Sequence, residues 1–239
     1  MKIDYAVMSS DNSHYLDYWP VISYIWEKKI GITPILLYFG DDYLHSTIGG
    51  IVNMGQCKKP IGITTCWSRY WWACQQEDKV SIITDIDMIP LSKDHFTIDL
   101  EKYPQSSYIH LNDCISTYSR LPSCYHVASG HTFKDVLQID SDFEKSLDIL
   151  LSMNYNNKEC YIDENNKHWC YDEFWATEKI LLSERKDIYL LKRDMSKDRI
   201  DRTNWQWDKN MQYIDSHLLR PYKDYLFEIQ EIIKRYHYD

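Results

Sequence analysis

Apolar residues run almost unbroken from Ile3 to Met8 and again from Pro34 to Phe39. Between them Val21, Ile22, Ile25 and Trp26 recur at helical spacing. The runs predict buried strands. The spaced set predicts a helix that begins near Pro20, a residue suited to a first helical turn, and ends at Gly31. Strand, helix and strand within about 40 residues make a βαβ unit, so the sheet should be largely parallel. Ser9 to Ser13 reads as a polar turn after the first strand.

The pattern continues in the same style. Residues 48–62 hold four of the seven glycines and read as irregular. Thr65 to Gln76 reads as a helix with Cys66, Arg69, Tyr70 and Ala73 on one side. Further strands are expected at Lys79 to Thr84, Ser107 to Leu111, Tyr125 to Ala128 and Ile188 to Leu191. Helices are expected at Thr132 to Ile139, Asp142 to Met153 and Glu173 to Ser183. Residues 154–167 and 194–221 read as polar and irregular. The last segment, Pro221 to Tyr236, repeats Leu226, Ile229, Ile232 and Ile233 at helical spacing.

One strand ends in chemistry. Val80 to Thr84 leads directly into Asp85, Ile86 and Asp87. Side chains alternate along a strand, so both carboxylates should face one way while Ile86 and Met88 turn into packing. Open α/β sheets bind ligands at the carboxyl ends of their strands. Two carboxylates there suit a hard divalent cation, which completes its shell with water and substrate phosphates. The expected ion is magnesium-like, and the expected ligand a nucleotide-linked diphosphate. Asp140 and Asp142 share the spacing but open a helix, where acidic residues simply suit the helix dipole.

Composition narrows the class. The chain has 239 residues, 44% hydrophobic and 26% charged, which is ordinary for a globular α/β domain. A net charge of −9 with no basic stripe speaks against a nucleic-acid partner. No apolar run approaches the ~20 residues of a membrane span, and the first residues lack a signal-peptide pattern. Seven cysteines without a C-x-x-C pair read as reduced thiols of a cytoplasmic protein. Cys160, His168 and Cys170 fit no common zinc spacing and read as structural or surface residues. Tyr is unusually frequent at 20, with 9 Trp. Trp71, Trp72, Trp169, Trp205 and Trp207 are candidates for stacking on a sugar or base, although packing is the commoner role.

A strand-borne D-x-D behind a βαβ unit resembles the GT-A glycosyltransferases, small enzymes of bacteria and large DNA viruses among them. The resemblance implies a mostly parallel nucleotide-binding sheet, Rossmann-like, flanked by helices and followed by a C-terminal helical tail. It implies one domain over residues 1–239, with 1–113 as the donor half and 114–239 as the acceptor half with that helix. Ser9, Ser10, Asp11 and Asn12 then stand where the family holds the nucleoside, and Arg69 where a basic residue approaches the donor. Ser129 and Gly130 resemble a segment under the transferred sugar, with Ala128 in place of the usual Asn. Asp215 to Tyr222 resembles a C-terminal His…Lys-Pro-Trp signature. On that reading the metal is Mn²⁺ or Mg²⁺, His217 is its third ligand beside Asp87 and Asp85, and Arg220 touches the diphosphate. Asp87 is the expected direct ligand, while Asp85 holds the ribose or a metal-bound water.

Asp172 and Glu173, at a helix start, resemble the acidic residues that face the acceptor. One of them would serve as base in an inverting enzyme, whereas the His217–Pro221 tail resembles retaining members. The implied reaction moves a sugar from a UDP-sugar, or alternatively a GDP-sugar, to a hydroxyl of a glycan acceptor. A haloacid-dehalogenase-type phosphatase also uses D-x-D. It expects Thr or Val where Ile89 stands, and a later glycine–aspartate loop, yet no glycine follows Gly130. A non-catalytic carbohydrate-binding module would leave Asp85, Asp87, His217 and Arg220 without a purpose. Walker, G-x-G-x-x-G and G-x-S-x-G patterns do not occur.

Overall fold

The computed structural model describes residues 1–41, 44–153, 155 and 170–237. The strands are β1 (Tyr5–Ser10), β2 (Thr33–Tyr38), β3 (Gly50–Asn53), β4 (Val80–Ile83), β5 (Met88–Pro90), β6 (Tyr108–His110), β7 (His126–Ser129), β8 (Ile188–Leu190), β9 (Arg199–Asp201) and β10 (Asp215–His217). The main helices are α1 (Trp19–Tyr24), α2 (Ile61–Cys74), α3 (Gly130–Leu137), α4 (Phe143–Ser152), α5 (Tyr171–Leu182) and α6 (Leu226–His237).

Seven strands form one sheet in the order β3-β2-β1-β4-β7-β6-β8. Every pairing is parallel except the two made by β7. Both faces are covered, which is why β1 and β2 read as continuous apolar runs. Alternate residues serve opposite layers. Ala6, Met8 and Ile82 pack with Ile22, Trp26, Ile229 and Ile232 of the α1 and α6 side. Ile83 packs with Trp67, Phe133, Leu147 and Trp175 of α2 to α5. No helix among the described residues is long and apolar enough to cross a membrane.

The structure departs from the sequence reading at three places. The first helix passes after Tyr24 into a π-helical turn, Ile25–Ile30, before Gly31 closes it at φ 91°. The glycine-rich stretch supplies the edge strand β3, and α2 starts at Ile61, four residues earlier than expected. The polar stretch before the last helix holds two strands, β9 and β10. Strands of three residues are too short to show a period of two, so composition hid them.

Those two strands join β5 in a second sheet, ordered β5-β10-β9. Asp215, at the start of β10, is fully buried. It caps no turn. Arg193 donates to both of its oxygens at 2.8 Å, and Arg199 donates to them at 2.9 and 3.0 Å. A buried carboxylate is costly unless its lone pairs are filled, and here four charge-assisted bonds fill them.

Replacing this hub should be severe. Asp215→Asn leaves two buried guanidinium groups without their counter-charge and should cost about 3–5 kcal/mol of unfolding free energy. Urea denaturation checks this; a loss below about 1 kcal/mol would show that the cluster is not a structural anchor.

Candidate active site

The D-x-D occupies the turn between the two sheets rather than a strand. Chain from β4 ends at Ile83, Ile86 and Asp87 form a turn, and β5 begins at Met88. Ile86 and Met88 are buried as expected. Both aspartates line one cleft of about 200 Å³. Its walls include Ser9 and Ser10 at the end of β1, Asp11 just after it, Arg69 from α2, His217 from β10, and Arg220. Segments more than 200 residues apart thus converge as the sequence suggested.

The small sheet sets the spacing. His217 stands opposite Met88 on one side and Asp201 on the other. The Leu218 amide donates to the Asp87 carbonyl at 2.9 Å, which extends the ladder into the turn. The imidazole is thereby flanked by carboxylates: Nε2 lies 3.5 Å from Asp87 Oδ2, and Nδ1 lies 3.5 Å from Asp201 Oδ2. Burial works against charge on this ring, but its hydrogen bonds with Asp201 and Asp87 outweigh burial and lift it to about 9.

Each aspartate of the turn also has an arginine. Arg69, itself buried, pairs with Asp85 and donates from Nη1 to the Thr84 carbonyl at 3.0 Å. Arg202 Nη1 donates to Asp87 Oδ2 at 2.5 Å. Arg220 lies over the Tyr15 ring, 5.5 Å from its centre, and donates to its hydroxyl. Asp201, Arg202 and Tyr15, together with Thr65 and Cys66 of α2, are cleft or near-cleft residues that the sequence reading missed. Asp201 and Arg202 fall in the stretch read as irregular; only the three-residue strand β9 gives them a fixed place.

Other candidates stand elsewhere. Asn12 is the cap of the short helix Ser13–Leu16, its Oδ1 accepting from the Tyr15 amide at 3.1 Å. Ser129 and Gly130 are at the wrong end of the sheet. Because β7 runs antiparallel to β4, Ser129 pairs with Val80, and the Cys124 end of the segment adjoins Asp85. Gly130 is needed for packing instead: a Cβ there would lie 2.6 Å from the Gln76 carbonyl oxygen and 2.7 Å from that of Ala73. Trp71 and Trp72 pack against Phe143 and Tyr5, and Trp205 and Trp207 against the core. Cys160, His168 and Trp169 lie outside the described residues. Cys170 is disulfide-bonded, so the reading of all seven cysteines as thiols fails for it.

Asp172 and Glu173 open α5 behind the cleft wall, and neither is among the described residues lining it. Asp172 is 1% exposed; its Oδ2 accepts from Ser123 Oγ at 2.8 Å and lies 3.9 Å from Arg69 Nη2. Its Oδ1 has no partner among the described residues. Burial and the neighbouring Glu173 push the carboxyl up to about 7 against the pull of Arg69. Glu173 is bound by Arg120 Nε at 2.5 Å. Ser123 is positioned by its neighbour Pro122, whose carbonyl accepts from His110 Nε2 at 3.0 Å and His126 Nε2 at 2.9 Å. Both rings are fully buried, and burial holds His110 down at about 4.

A divalent cation fits this chemistry in part. Asp87 and His217 present an oxygen and a nitrogen side by side, and Asp201 orients the imidazole from behind, the usual arrangement of a metal-binding histidine. Asp85 is turned toward Arg69. No group of three or more His, Cys, Asp or Glu side chains among the described residues is drawn together as a metal cluster.

No protein-family model and no curated protein matches the chain. Solved structures match by fold. The galactosyltransferase LgtC, in complex with donor and acceptor sugar analogs, gives a TM-score of 0.54 over 97% of this chain and 94% of its own, at 11% identity. An active-site mutant of LgtC gives 0.51 over 89% and 86%, at 12% identity. GlyE, a glycosyltransferase of Streptococcus pneumoniae TIGR4, gives 0.46 over 80% of this chain at 11% identity. The chain spans about half of GlyE, 45% and 51% in two structures. The LgtC match shows the fold, a GT-A-type mixed α/β sheet flanked by helices with a C-terminal helix.

The His217 environment yields a direct prediction. Its ring should titrate near 9 by NMR, and Asp201→Asn should move it back toward the ordinary ~6.5. Because the folded value lies above the unfolded one, the stability this contact adds is complete below about pH 6.5 and is lost as pH rises through about 9. An unchanged titration in Asp201→Asn would remove Asp201 as the partner.

Proposed function

We propose that the chain is a metal-assisted glycosyltransferase that moves a sugar from a UDP-sugar to a hydroxyl of a glycan acceptor. One observation carries this reading. The D-x-D turn, His217 and three arginines converge on a single cleft at the carboxyl ends of β1 and β4, within a fold shared with LgtC, solved with donor and acceptor sugar analogs. That edge of an open α/β sheet is where nucleotides bind.

The roles follow from the groups present. Ser9, Ser10 and Asp11 line the cleft and would meet the nucleoside, with hydroxyls and a carboxylate for ribose and base. Asp87 and His217 would hold the Mn²⁺ or Mg²⁺, with Asp85 beside them. The bound cation would supply Lewis-acid stabilisation of the departing diphosphate. Arg220 and Arg202 offer planar, permanently charged donors to phosphate oxygens. Arg69, locked between Asp85 and Asp172, fixes the turn rather than reaching outward. Asp172 and Glu173 support that wall, and Asp172 holds Arg69 in place. A phosphatase reading, with Asp85 as nucleophile, has less behind it: Asp85 is already paired with Arg69.

Thermal melts test the donor site. UDP with Mn²⁺ at ~100 times its Kd should stabilise the fold by ~2.7 kcal/mol, and UDP alone by much less. Asp87→Ala should abolish the metal-dependent part. Stabilisation by GDP instead would change the donor, and none by either nucleotide would remove the proposal.

A further inference from the structure

The two arginines on the D-x-D are not equivalent. Arg69 is 3% exposed and is also bonded to the carbonyls of Cys66 and Thr84, so it belongs to the wall. Arg202 is 23% exposed and stands just past the edge strand β9. Its one hydrogen bond among the described residues goes to Asp87 Oδ2. That oxygen is also the one His217 approaches. The oxygen that the guanidinium occupies therefore belongs to the carboxylate proposed for the metal.

A divalent cation on Asp87 would meet the guanidinium at close range, where like charges repel strongly. The guanidinium need not be stranded by leaving. Arg202 lines the same cleft as Arg220, and a diphosphate arriving with the cation offers it a better-matched anion. Resting on the donor-site reading above, we infer that Arg202 is an internal counter-ion that a divalent cation displaces from Asp87, and that it then binds the diphosphate. The exchange leaves both partners paired: Asp87 trades the guanidinium for the divalent cation, and Arg202 trades a carboxylate for phosphate oxygens.

Calorimetric titration of the full chain with Mn²⁺ alone, and with UDP at saturating Mn²⁺, tests the exchange. Arg202→Ala should bind Mn²⁺ alone about tenfold more tightly than wild type, and UDP about tenfold more weakly. Arg202→Lys, which keeps the charge without the planar fork, should fall between. Arg220→Ala removes a cleft cation that holds neither aspartate, and should leave binding of Mn²⁺ alone unchanged. An Arg202→Ala protein that binds Mn²⁺ no more tightly than wild type overturns the inference while leaving the donor site intact. So does an equal gain in Arg220→Ala, which would show a general field effect. If wild type and variants alike bind neither Mn²⁺ nor UDP, the donor-site reading fails and the inference falls with it.

Discussion

The carboxylate of Asp215, buried between Arg193 and Arg199, is the constraint on which the cleft depends. It fastens β10 to β9 and to the segment after β8. Two residues later on the same strand stands His217. A slip of one residue in so short a strand would turn the imidazole to the other face. Three-residue ladders have little hydrogen bonding to prevent that, so the register must be fixed by something stronger. Four charge-assisted bonds on one fully buried group provide it. The geometry that brings His217 beside both Asp87 and Asp201 is inherited from that anchor.

The cleft gathers positive groups within an acidic molecule, interleaved with Asp11, Asp85 and Asp87. The chain carries −9 overall, yet Arg69, Arg202, Arg220 and a protonated His217 gather at one opening. The arginines supply much of that positive field themselves. Asp85 holds Arg69, Asp87 holds Arg202 and Asp201 holds His217, so the carboxylates serve the anion site indirectly as well as by any direct ligation.

What could be read in the sequence follows from which forces are local. Continuous apolar runs revealed β1, β2 and β4, because burial on both faces leaves its mark on every residue. Asp85, Asp87, Arg69, His217 and Arg220 were legible as one set because a resemblance supplied their long-range relation. Strand direction was not legible: nothing in the pattern from His126 to Ser129 states that β7 runs against β4, and Ser129 and Gly130 were therefore placed at the wrong edge. Asp201, and Arg202 just past it, escaped because β9 has three residues and its partner strand begins fourteen positions after its end. Asp172 was found as a residue but not as a position, since helix-start chemistry does not say which way the helix start faces.

That reversed strand has a further consequence. With β7 alone running backward, the chain between β6 and β7 passes over the same edge as the turns after β1 and β4. The opposite edge is tightly committed, for Gly130 there lies against the carbonyls of Ala73 and Gln76. The rim segment is tied down as well, through Arg120 to Glu173, Pro122 to two buried histidines and Ser123 to Asp172. The backward strand thereby makes the wall behind the D-x-D turn a continuation of the core, with Cys124 reaching Asp85 from it.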